Sequence, residues 1–533
     1  MSTTDDRSPA RDVIADGRAV LGIELGSTRI KAVLVDDAGR PLAGGGHDWE
    51  NRYEDRTWTY SEDDVWTGLR ECYAAMAADC EERHGVTPTS LAGLGVSAMM
   101  HGYLALDNTG ELLVPFRTWR NTSTGTAAAE LTEALGFNVP LRWSVAHFYQ
   151  AVLDDEPHLP QVAGLTTLAG LVHRALTGEH VLGVGDASGM FPIDPATGTY
   201  DADRLARVDA LVAERRSGSD LSSLLPRVLP AGREAGRLTA DGAALLDPTG
   251  TLRAGAPVCP PEGDAGTGMV ATNAVAPRTG NVSVGTSIFL MAVLEQELDA
   301  VHEEIDIVTT PAGDPVAMVH CNNGASELDT WAGVFGRFAS ALGHEADADE
   351  VFRVLLHEAL EADADAGGLL AYNYLSGEPV TGLDEGRPLV LRTPDSRLTL
   401  ANFVRAELYG AFATLALGMR VLDAEDVALD VVVAHGGLLR TEGVAQRLLA
   451  GALRTKVAVG ESAGEGGAWG IAVLAGYLAH ADETSLGEYL DTVFADAEST
   501  VVEPEQDDVD GFAAYLERFE AGLAVQRAAV DAG

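Results

Sequence analysis

The sequence predicts an α/β protein with two lobes, and three observations support that fold class. The chain has 533 residues, 46% of them hydrophobic, which is more than one ordinary domain needs and enough for two cores. Apolar, β-rich runs lead into a glycine turn at three distant places. These turns are Gly26-Ser27-Thr28, Gly285-Thr286-Ser287 and Gly436-Gly437. Since the second strand–turn–strand segment repeats the plan of the first, we expect two similar lobes.

The first lobe is predicted to span residues 19–273. It begins with a strand, the first glycine turn and two further strands. A helix follows, whose start matches a capping pattern of Ser61 and Asp64 and whose end is expected at Gly85. A short strand at 94–97 completes a β-β-β-α-β order. An actin-like nucleotide-binding lobe has this order of elements.

The second lobe is predicted to span residues 274–480. Long helical patterns at 400–419 and 444–454 fit the faces of a second sheet. The polar residues 1–18 are expected to form a flexible tail. The acidic, helix-prone residues 481–533 are expected to form a C-terminal appendage.

The charge of the chain excludes several classes of partner. Its 36 basic and 81 acidic residues give a net charge of −45, which repels nucleic acid and anionic membranes. The first eighteen residues have no apolar signal-peptide core, and none of the four cysteines forms a C-x-x-C pair. We therefore expect a cytoplasmic protein that binds neither nucleic acid nor membrane.

The candidate chemistry begins with the glycine turns and one aspartate. A strand that leads into a glycine turn presents backbone N–H groups that can hold phosphate, although ordinary hairpin and strand-to-helix turns have the same sequence. Asp264 follows Gly263 in a Pro- and Gly-rich loop. There it could act as a general base for a hydroxyl or as the N-cap of the next helix.

Three other types of site are not supported. The chain has no G-x-x-x-x-G-K-[ST] motif, so a P-loop is not indicated. Glycines at 263, 266 and 268 imitate a dinucleotide loop, but no long β-run precedes them. No His/Cys cluster has zinc spacing.

The order of these motifs resembles the FGGY family of carbohydrate kinases along most of the chain. Glu24-Leu25-Gly26-Ser27-Thr28 resembles the first phosphate turn of that family, and Met100-His101-Gly102 resembles its sugar-contacting loop. Gly263-Asp264-Ala265 matches the position of its catalytic base, and Gly285-Thr286-Ser287 its second phosphate turn. Further matching segments are Leu176–Glu179, Asp186–Gly189, Leu375–Glu378 and Glu465–Gly470.

The resemblance implies two actin-like, ribonuclease H-like lobes with a cleft between them. It also implies an ATP-dependent kinase that uses Mg²⁺, with Asp264 as the general base for a hydroxyl of a ketopentose. Within the family, the Met-His-Gly loop is most similar to xylulokinase and to L-ribulokinase. The partners implied are a small sugar and ATP. L-Ribulose or another polyol as substrate, a non-catalytic nucleotide-binding switch, and a homodimer all stay open.

The site residues follow from the same resemblance. Phosphate and ATP contacts are expected from Gly26, Ser27, Thr28, Gly285, Thr286, Ser287, Gly436, Gly437, Gly466 and Gly467. Sugar contacts are expected from Met100, His101, Gly102, Trp119, Arg120, Asn121 and Asp264. Glu24 is expected to meet Mg²⁺ directly or through water. Glu24 stands where the family usually has aspartate. Asn121 also stands where the family often has aspartate, and the asparagine keeps a hydrogen-bond acceptor but loses the negative charge.

Overall fold

The computed structural model describes residues 9–215, 220–441, 443–460 and 466–532. The chain divides into two units. Unit 1 comprises Met1–Val275, Ile307–Val316 and Ala463–Asp496, and unit 2 comprises Ala276–Asp306, Ala317–Ser462 and Ala497–Gly533. Each unit combines strands with helices, so the predicted α/β class with two units is confirmed. Within the described ranges, no helix has both the length and the apolar composition that crossing a bilayer requires.

The bounds of the elements are as follows. The strands are β1 (Val20–Leu25), β2 (Arg29–Val35), β3 (Pro41–Asp48), β4 (Arg52–Glu54), β5 (Thr57–Thr59), β6 (Gly93–Ala98), β7 (Leu104–Leu106), β8 (Gly164–Thr166), β9 (Val181–Gly183), β10 (Ile193–Asp194), β11 (Thr199–Tyr200), β12 (Arg227–Leu229), β13 (Glu262–Gly263), β14 (Thr279–Val284), β15 (Ile288–Val293), β16 (Asp306–Thr309), β17 (Pro315–Cys321), β18 (Leu370–Tyr372), β19 (Leu389–Leu391), β20 (Val431–His435), β21 (Lys456–Gly460) and β22 (Ser499–Val502). The α-helices are α1 (Pro9–Ala15), α2 (Glu62–His84), α3 (Gly125–Leu135), α4 (Ser144–Leu153), α5 (Leu168–Thr177), α6 (Val184–Ser188), α7 (Ala202–Arg215), α8 (Leu221–Leu224), α9 (Ala240–Leu246), α10 (Asp264–Ala271), α11 (Ser326–Ala341), α12 (Ala348–Glu358), α13 (Leu400–Ala424), α14 (Val444–Leu453), α15 (Gly466–Tyr477), α16 (Leu486–Val493) and α17 (Gln506–Asp531).

The main sheet of unit 1 has the strand order β13-β6-β1-β2-β3. The hairpin β1–β2 and the pair β2–β3 are antiparallel, whereas β6 runs parallel to β1 and β13 parallel to β6. Helix α2 starts at the N-cap Ser61 and ends at Gly85 in the left-handed region, as the sequence predicts. The carboxyl ends of β1, β6 and β13 thus lie at one edge of the sheet and carry Glu24, the loop after residue 98, and Asp264.

Glycines let two helices lie directly on the faces of this sheet. A Cβ on Gly45 would come within 2.3 Å of the α2 backbone at Met76, and a Cβ on Gly22 within 2.0 Å of the α15 backbone at Ala468. Because Gly22 is in register with Val33, and Val33 with Gly44, Gly22 and Gly45 point to opposite faces. The sheet is therefore buried between α2 and α15.

Unit 2 repeats the central arrangement of unit 1. Its sheet contains the order β17-β15-β14-β20-β21-β22. The hairpin β14–β15 is antiparallel and β20 runs parallel to β14, just as β1–β2 is a hairpin with β6 parallel to β1. The second glycine turn therefore occupies in unit 2 the place that the first occupies in unit 1, and the predicted structural repeat is confirmed.

The structure differs from the expected organisation at both ends of the chain. Part of the expected tail forms α1, in which Ile14 is buried. The expected boundary at residue 480 falls inside the segment Ala463–Asp496, which belongs to unit 1. The expected appendage also contributes β22, which pairs with β21, and α17, whose Tyr515 and Phe519 are fully buried in unit 2. Helical periodicity indicated the helices here, but their positions depend on which apolar surface accepts them.

Candidate active site

Asp264 is the first residue of α10 and is reached from the sheet through the short strand β13. Its Oδ1 accepts hydrogen bonds from the backbone N–H groups of Met100 and Ala265, both at 3.1 Å. The N-cap position is taken by Gly263, where a Cβ would lie 2.1 Å from the Met100 side chain. The Asp264 side chain stays accessible to solvent, while desolvation by the protein atoms packed around it raises its pKa. Asp264 can therefore both meet a ligand and accept a proton.

The predicted sugar loop follows β6 and is joined to Asp264 by the Met100 N–H bond. His101 is buried and has φ +67°, a conformation that costs free energy for a residue other than glycine. Its Nδ1 lies 3.2 Å from the Gly189 carbonyl oxygen, and its ring stacks on Trp143 with a centroid distance of 6.4 Å. The next residue, Gly102, has φ +88°. Two consecutive left-handed residues turn the chain sharply here and direct the imidazole toward Gly189 and Trp143.

The segment Trp119–Asn121 lies against β5. Both N–H donors of the Asn121 amide are engaged, one by the carbonyl of Trp58 at 2.8 Å and one by that of Thr118 at 3.0 Å, and its Oδ1 accepts from Trp58 N–H at 2.9 Å. The Arg120 guanidinium lies 5.3 Å from the ring centroids of both Trp58 and Trp119. Asn121 thus supports the loop that presents Arg120, and its donors are used by protein.

The first glycine turn joins β1 to β2 and is held by two aromatic side chains. Trp49 Nε1–H donates to the Gly26 carbonyl at 2.7 Å, and the Tyr60 hydroxyl donates to the Ser27 carbonyl at 2.6 Å. In a trans peptide the N–H group points opposite to the C=O group. The N–H groups of Ser27 and Thr28 therefore point away from Trp49 and Tyr60, as a phosphate-binding turn requires.

Glu24, at the end of β1, lies against the start of α15. A Cβ on Gly467 would come within 2.3 Å of Glu24 Oε1 and 2.9 Å of Thr267 Oγ1, so glycine is required there to make room for the carboxylate. Thr267 Oγ1 is 3.0 Å from Ser97 Oγ, and Ser97 is in register with Glu24. Gly466, the first residue of α15, has φ +50°. Within unit 1, Gly467 thus lies directly beside the Glu24 carboxylate.

The donor set in unit 1 fits a magnesium ion of the kind that nucleotides bring. No group of three or more His, Cys, Asp and Glu side chains suited to a metal occurs among the described residues. Mg²⁺ bound with a nucleotide usually takes only one or two protein carboxylates, the rest of its shell being water and phosphate. Glu24, on the strand that leads into the first glycine turn, is a carboxylate of this kind.

The second glycine turn and Gly436–Gly437 are brought together in unit 2. Gly436 has φ +117°, and a Cβ there would lie 2.2 Å from the Val284 carbonyl oxygen, so β20 can approach the end of β14 only with glycine at this position. Within the turn itself, Gly285 N–H donates to the Ser287 carbonyl at 3.0 Å. This hairpin therefore lies next to the loop that follows β20.

A cavity of about 1000 Å³ opens beside this pair of turns. Gly285, Thr286 and Gly437 form one part of its wall. Apolar side chains and two arginines form other parts, namely Phe352, Leu356, Leu438, Arg353 and Arg440. Asp329 and Asp349 also line it. A glycine turn, apolar side chains and charged groups around one space suit a molecule that combines a planar base with polar groups.

The structure adds two buried acids that sequence reasoning did not assign to the site. Asp186 is fully buried, accepts a hydrogen bond of 2.5 Å from the Thr167 hydroxyl, and has its pKa raised by burial to about 7. Glu262 accepts a hydrogen bond from the Asp186 N–H at 2.9 Å, and burial raises its pKa well above the usual range. A Cβ on Gly263 would lie 3.4 Å from Asp186 Oδ1, which places this acid beside the Asp264 loop. The signal in the sequence was the segment Asp186–Gly189, one of those that resemble the FGGY family, but that resemblance gave Asp186 no role in the site.

Comparison with known proteins agrees with this geometry. The sequence matches the N-terminal domain of the FGGY family of carbohydrate kinases over residues 19–270 and the C-terminal domain of that family over residues 280–479. A xylulose kinase of Streptomyces coelicolor is 28% identical over 300 residues, which are 53% of this chain and 56% of that protein. This chain thus matches little more than half the length of the Streptomyces relative.

Two further proteins are similar over more of the chain. A xylulose kinase of Klebsiella pneumoniae is 24% identical over 438 residues, or 78% of this chain and 81% of that protein. The crystal structure of xylulose kinase from Rhodospirillum rubrum has a TM-score of 0.77 at 20% identity, and the superposition covers 95% of this chain and 99% of that one. With both domains matched and the fold shared, the resemblance noted in the sequence is confirmed, and the chain belongs to the FGGY family of carbohydrate kinases.

Proposed function

We propose that this protein transfers the γ-phosphoryl group of ATP to a hydroxyl of a ketopentose, with xylulose as the preferred sugar. The observation that carries the proposal is the link between Asp264 and the sugar loop. The carboxylate is bonded to the N–H of Met100 at 3.1 Å, and the loop continues directly into the strained His101. A hydroxyl held by this loop would therefore lie within reach of a base whose pKa is raised.

The proposed reaction needs a base, contacts to the phosphates and a magnesium ion. Asp264 accepts the proton of the sugar hydroxyl while the hydroxyl oxygen bonds to the γ-phosphorus and the bond from that phosphorus to the β-phosphate oxygen breaks, releasing ADP. Backbone N–H groups of the two glycine turns hold the phosphates, and the cavity beside Gly285 holds the nucleoside. Glu24 would hold Mg²⁺ directly or through water, and the ion would neutralise charge on the phosphates.

The choice of xylulose has two sources of support. The Met100–Gly102 loop resembles that of pentulose kinases, and the relatives matched above are named xylulose kinases at 28% and 24% identity. The Arg120 guanidinium, which lies over the rings of Trp58 and Trp119, can also donate hydrogen bonds to a short polyol. The proposed protein thus acts on small molecules, ATP and a sugar.

The test is ADP formation with a panel of D-xylulose, L-ribulose, D-ribulose, glycerol, gluconate and hexuloses, each with ATP and Mg²⁺. We expect the highest kcat/KM with xylulose, because a site that pairs a particular hydroxyl rejects analogues lacking it by large factors. The highest value with L-ribulose, glycerol or a hexulose would overturn the sugar assignment but keep the kinase. Nucleotide binding with no sugar-dependent ADP formation would instead indicate a nucleotide-binding switch.

A further inference from the structure

The second glycine turn is held in one orientation by its own carbonyl groups. Ala325 N–H donates to the Gly285 carbonyl at 2.8 Å, and Gly324 N–H donates to the Thr286 carbonyl at 2.7 Å. Since the N–H of a trans peptide points opposite to its C=O, these two bonds turn the N–H groups of Thr286 and Ser287 away from residues 324–325. The direction in which the turn offers its donors is therefore decided by that segment.

The segment 324–325 and the turn are in such close contact that no side chain fits between them at Gly324. A Cβ on Gly324 would lie 2.2 Å from the Gly285 carbonyl oxygen and 2.8 Å from that of Thr286. The buried Asn373 holds the segment from behind, because its Nδ2 donates to the carbonyls of Asn323 at 3.0 Å and Gly324 at 2.6 Å.

Asn323 ties the same segment to residues 375–378, a motif noted in the sequence. Its Oδ1 accepts from the N–H groups of Leu375 at 2.9 Å and Ser376 at 3.0 Å. Glu378 Oε2 accepts from Asn323 Nδ2 at 3.0 Å and from its backbone N–H at 3.2 Å. Asn323 and Glu378 are 4% and 0% exposed, so water cannot replace these bonds.

We propose that Asn373 and Asn323, held by Glu378, are positioning residues that set the orientation of the second glycine turn and through it the affinity for the phosphates of ATP. None of the three side chains lines the cavity beside the turn, so they act through the backbone of residues 323–325. The proposal rests on the proposed function, because it takes the phosphates of ATP as the ligand of this turn. It gives a role to the segment Leu375–Glu378, which the sequence analysis noted and the catalytic scheme leaves unused.

The first experiment compares two buried asparagines of unit 2. Asn373→Ala removes the donors behind the turn. Asn402→Ala is the matched control, since Asn402 is 2% exposed and its Nδ2 donates to Asp363 and to the Arg397 carbonyl, not to the turn segment. We expect Asn373→Ala to weaken ATP binding about 10-fold or more in titration calorimetry, because two buried carbonyls lose their donors. The KM for ATP should rise by a similar factor, while the KM for the sugar and all values for the control stay within about twofold.

A second pair of variants covers the case in which Asn373→Ala does not fold. Glu378→Gln keeps an oxygen that accepts from Asn323, whereas Glu378→Ala removes it. We expect the glutamine variant to bind ATP within about threefold of the wild type and the alanine variant about 10-fold more weakly. Equal ATP affinities in these two variants, or equal losses in Asn373→Ala and Asn402→Ala, would overturn the proposal.

Hydrogen–deuterium exchange of the unliganded protein separates this proposal from the proposed function. We expect the peptide containing residues 285–287 to exchange faster in Asn373→Ala than in the wild type. In Asn402→Ala the exchange rate of this peptide should equal that of the wild type. If the wild type neither binds ATP nor phosphorylates a sugar, the proposed function fails. Faster exchange in Asn373→Ala but not in Asn402→Ala would still support the positioning of the turn by Asn373. Unchanged exchange in Asn373→Ala overturns it.

Discussion

At Asp264 the local sequence satisfies two opposing requirements of the general base that we propose. The carboxylate must be shielded enough to hold a proton, and it must be open enough to meet a substrate. Placing it at the first position of α10, after a glycine N-cap, leaves the side chain accessible, while the surrounding protein raises its pKa. The two N–H bonds from Met100 and Ala265 act in the opposite direction and limit the rise.

Asp264→Asn should abolish most of the turnover and leave nucleotide binding intact. The amide has the shape of the carboxyl but cannot take the hydroxyl proton, so kcat should fall by about 10²–10⁴-fold. Steady-state kinetics and ATP titration calorimetry measure the two effects. Asp241→Asn, an exposed change in α9, is the control. Wild-type turnover in a folded Asp264→Asn variant would show that another group is the base.

At the scale of elements, the glycines of the candidate site differ in what they do. Gly436 and Gly467 make room for neighbouring atoms, a carbonyl in one case and the Glu24 carboxylate in the other. Gly285 has no positive φ, and a Cβ there would meet only the Ser287 carbonyl oxygen, at 3.9 Å. The fold therefore tolerates a side chain at Gly285, and the absence of one there matters for what the turn binds.

Gly285→Val should consequently weaken ATP binding without unfolding the protein. The valine side chain would project beside the N–H groups that the phosphates approach, in a turn that lines the cavity of unit 2. We expect the KM for ATP to rise by about 10-fold or more with little change in the KM for the sugar. Gly487→Val in α16, which also has open space around its Cβ, is the control. Unchanged ATP affinity would remove this turn from the phosphate site.

The C-terminal helix α17 is part of the core of unit 2. Phe519 is 0% exposed and stacks on Tyr372 with a centroid distance of 4.4 Å. Phe519→Ala should lower the free energy of unfolding by about 3–5 kcal/mol, because it leaves a cavity where an aromatic ring was packed. Val525→Ala on the same helix, at a residue that is 45% exposed, should change it by less than about 0.5 kcal/mol. Urea denaturation measures both, and similar values for the two would mean that α17 is not needed by the core.

For the whole molecule, acidity is a property of the interior as well as of the surface. The chain carries a net charge of −45, and several carboxyls are buried without a cation beside them. Burial raises the pKa of Asp186 and of Glu378 to about 7, and that of Glu407 to about 8. The net negative charge and the burial of these carboxyls both make the folded state bind protons more readily than the unfolded chain near neutral pH.

The stability should therefore increase as the pH is lowered from about 8 to about 5.5. In the unfolded chain these carboxyls lose their protons near pH 4, whereas in the folded protein they keep them up to pH 7 or 8. The stability that they contribute at low pH is therefore lost as the pH rises from about 4 to about 8. The loss amounts to about 1.4 kcal/mol for each unit by which the pKa is raised. Urea denaturation at several pH values measures the slope. Glu407→Gln should stabilise the protein at pH 8 and reduce the slope, while Glu133→Gln at an exposed site should do neither. A stability that rises between pH 6 and pH 8 would contradict this prediction.

Local patterns in the sequence were sufficient to predict the α/β class, the strand–turn–strand repeat, the helix from Ser61 to Gly85 and the positions of Asp264 and the glycine turns. Each of these depends on residues a few positions apart, through periodicity, capping or the freedom of glycine. Other features involve residues that are distant in the chain. They include the packing of α15 on the first sheet, α17 in the second unit, Asp186 beside the Asp264 loop, and Asn373 behind the second turn. Only the tertiary structure decided these, because a local pattern tells which face of an element is buried but not which partner buries it.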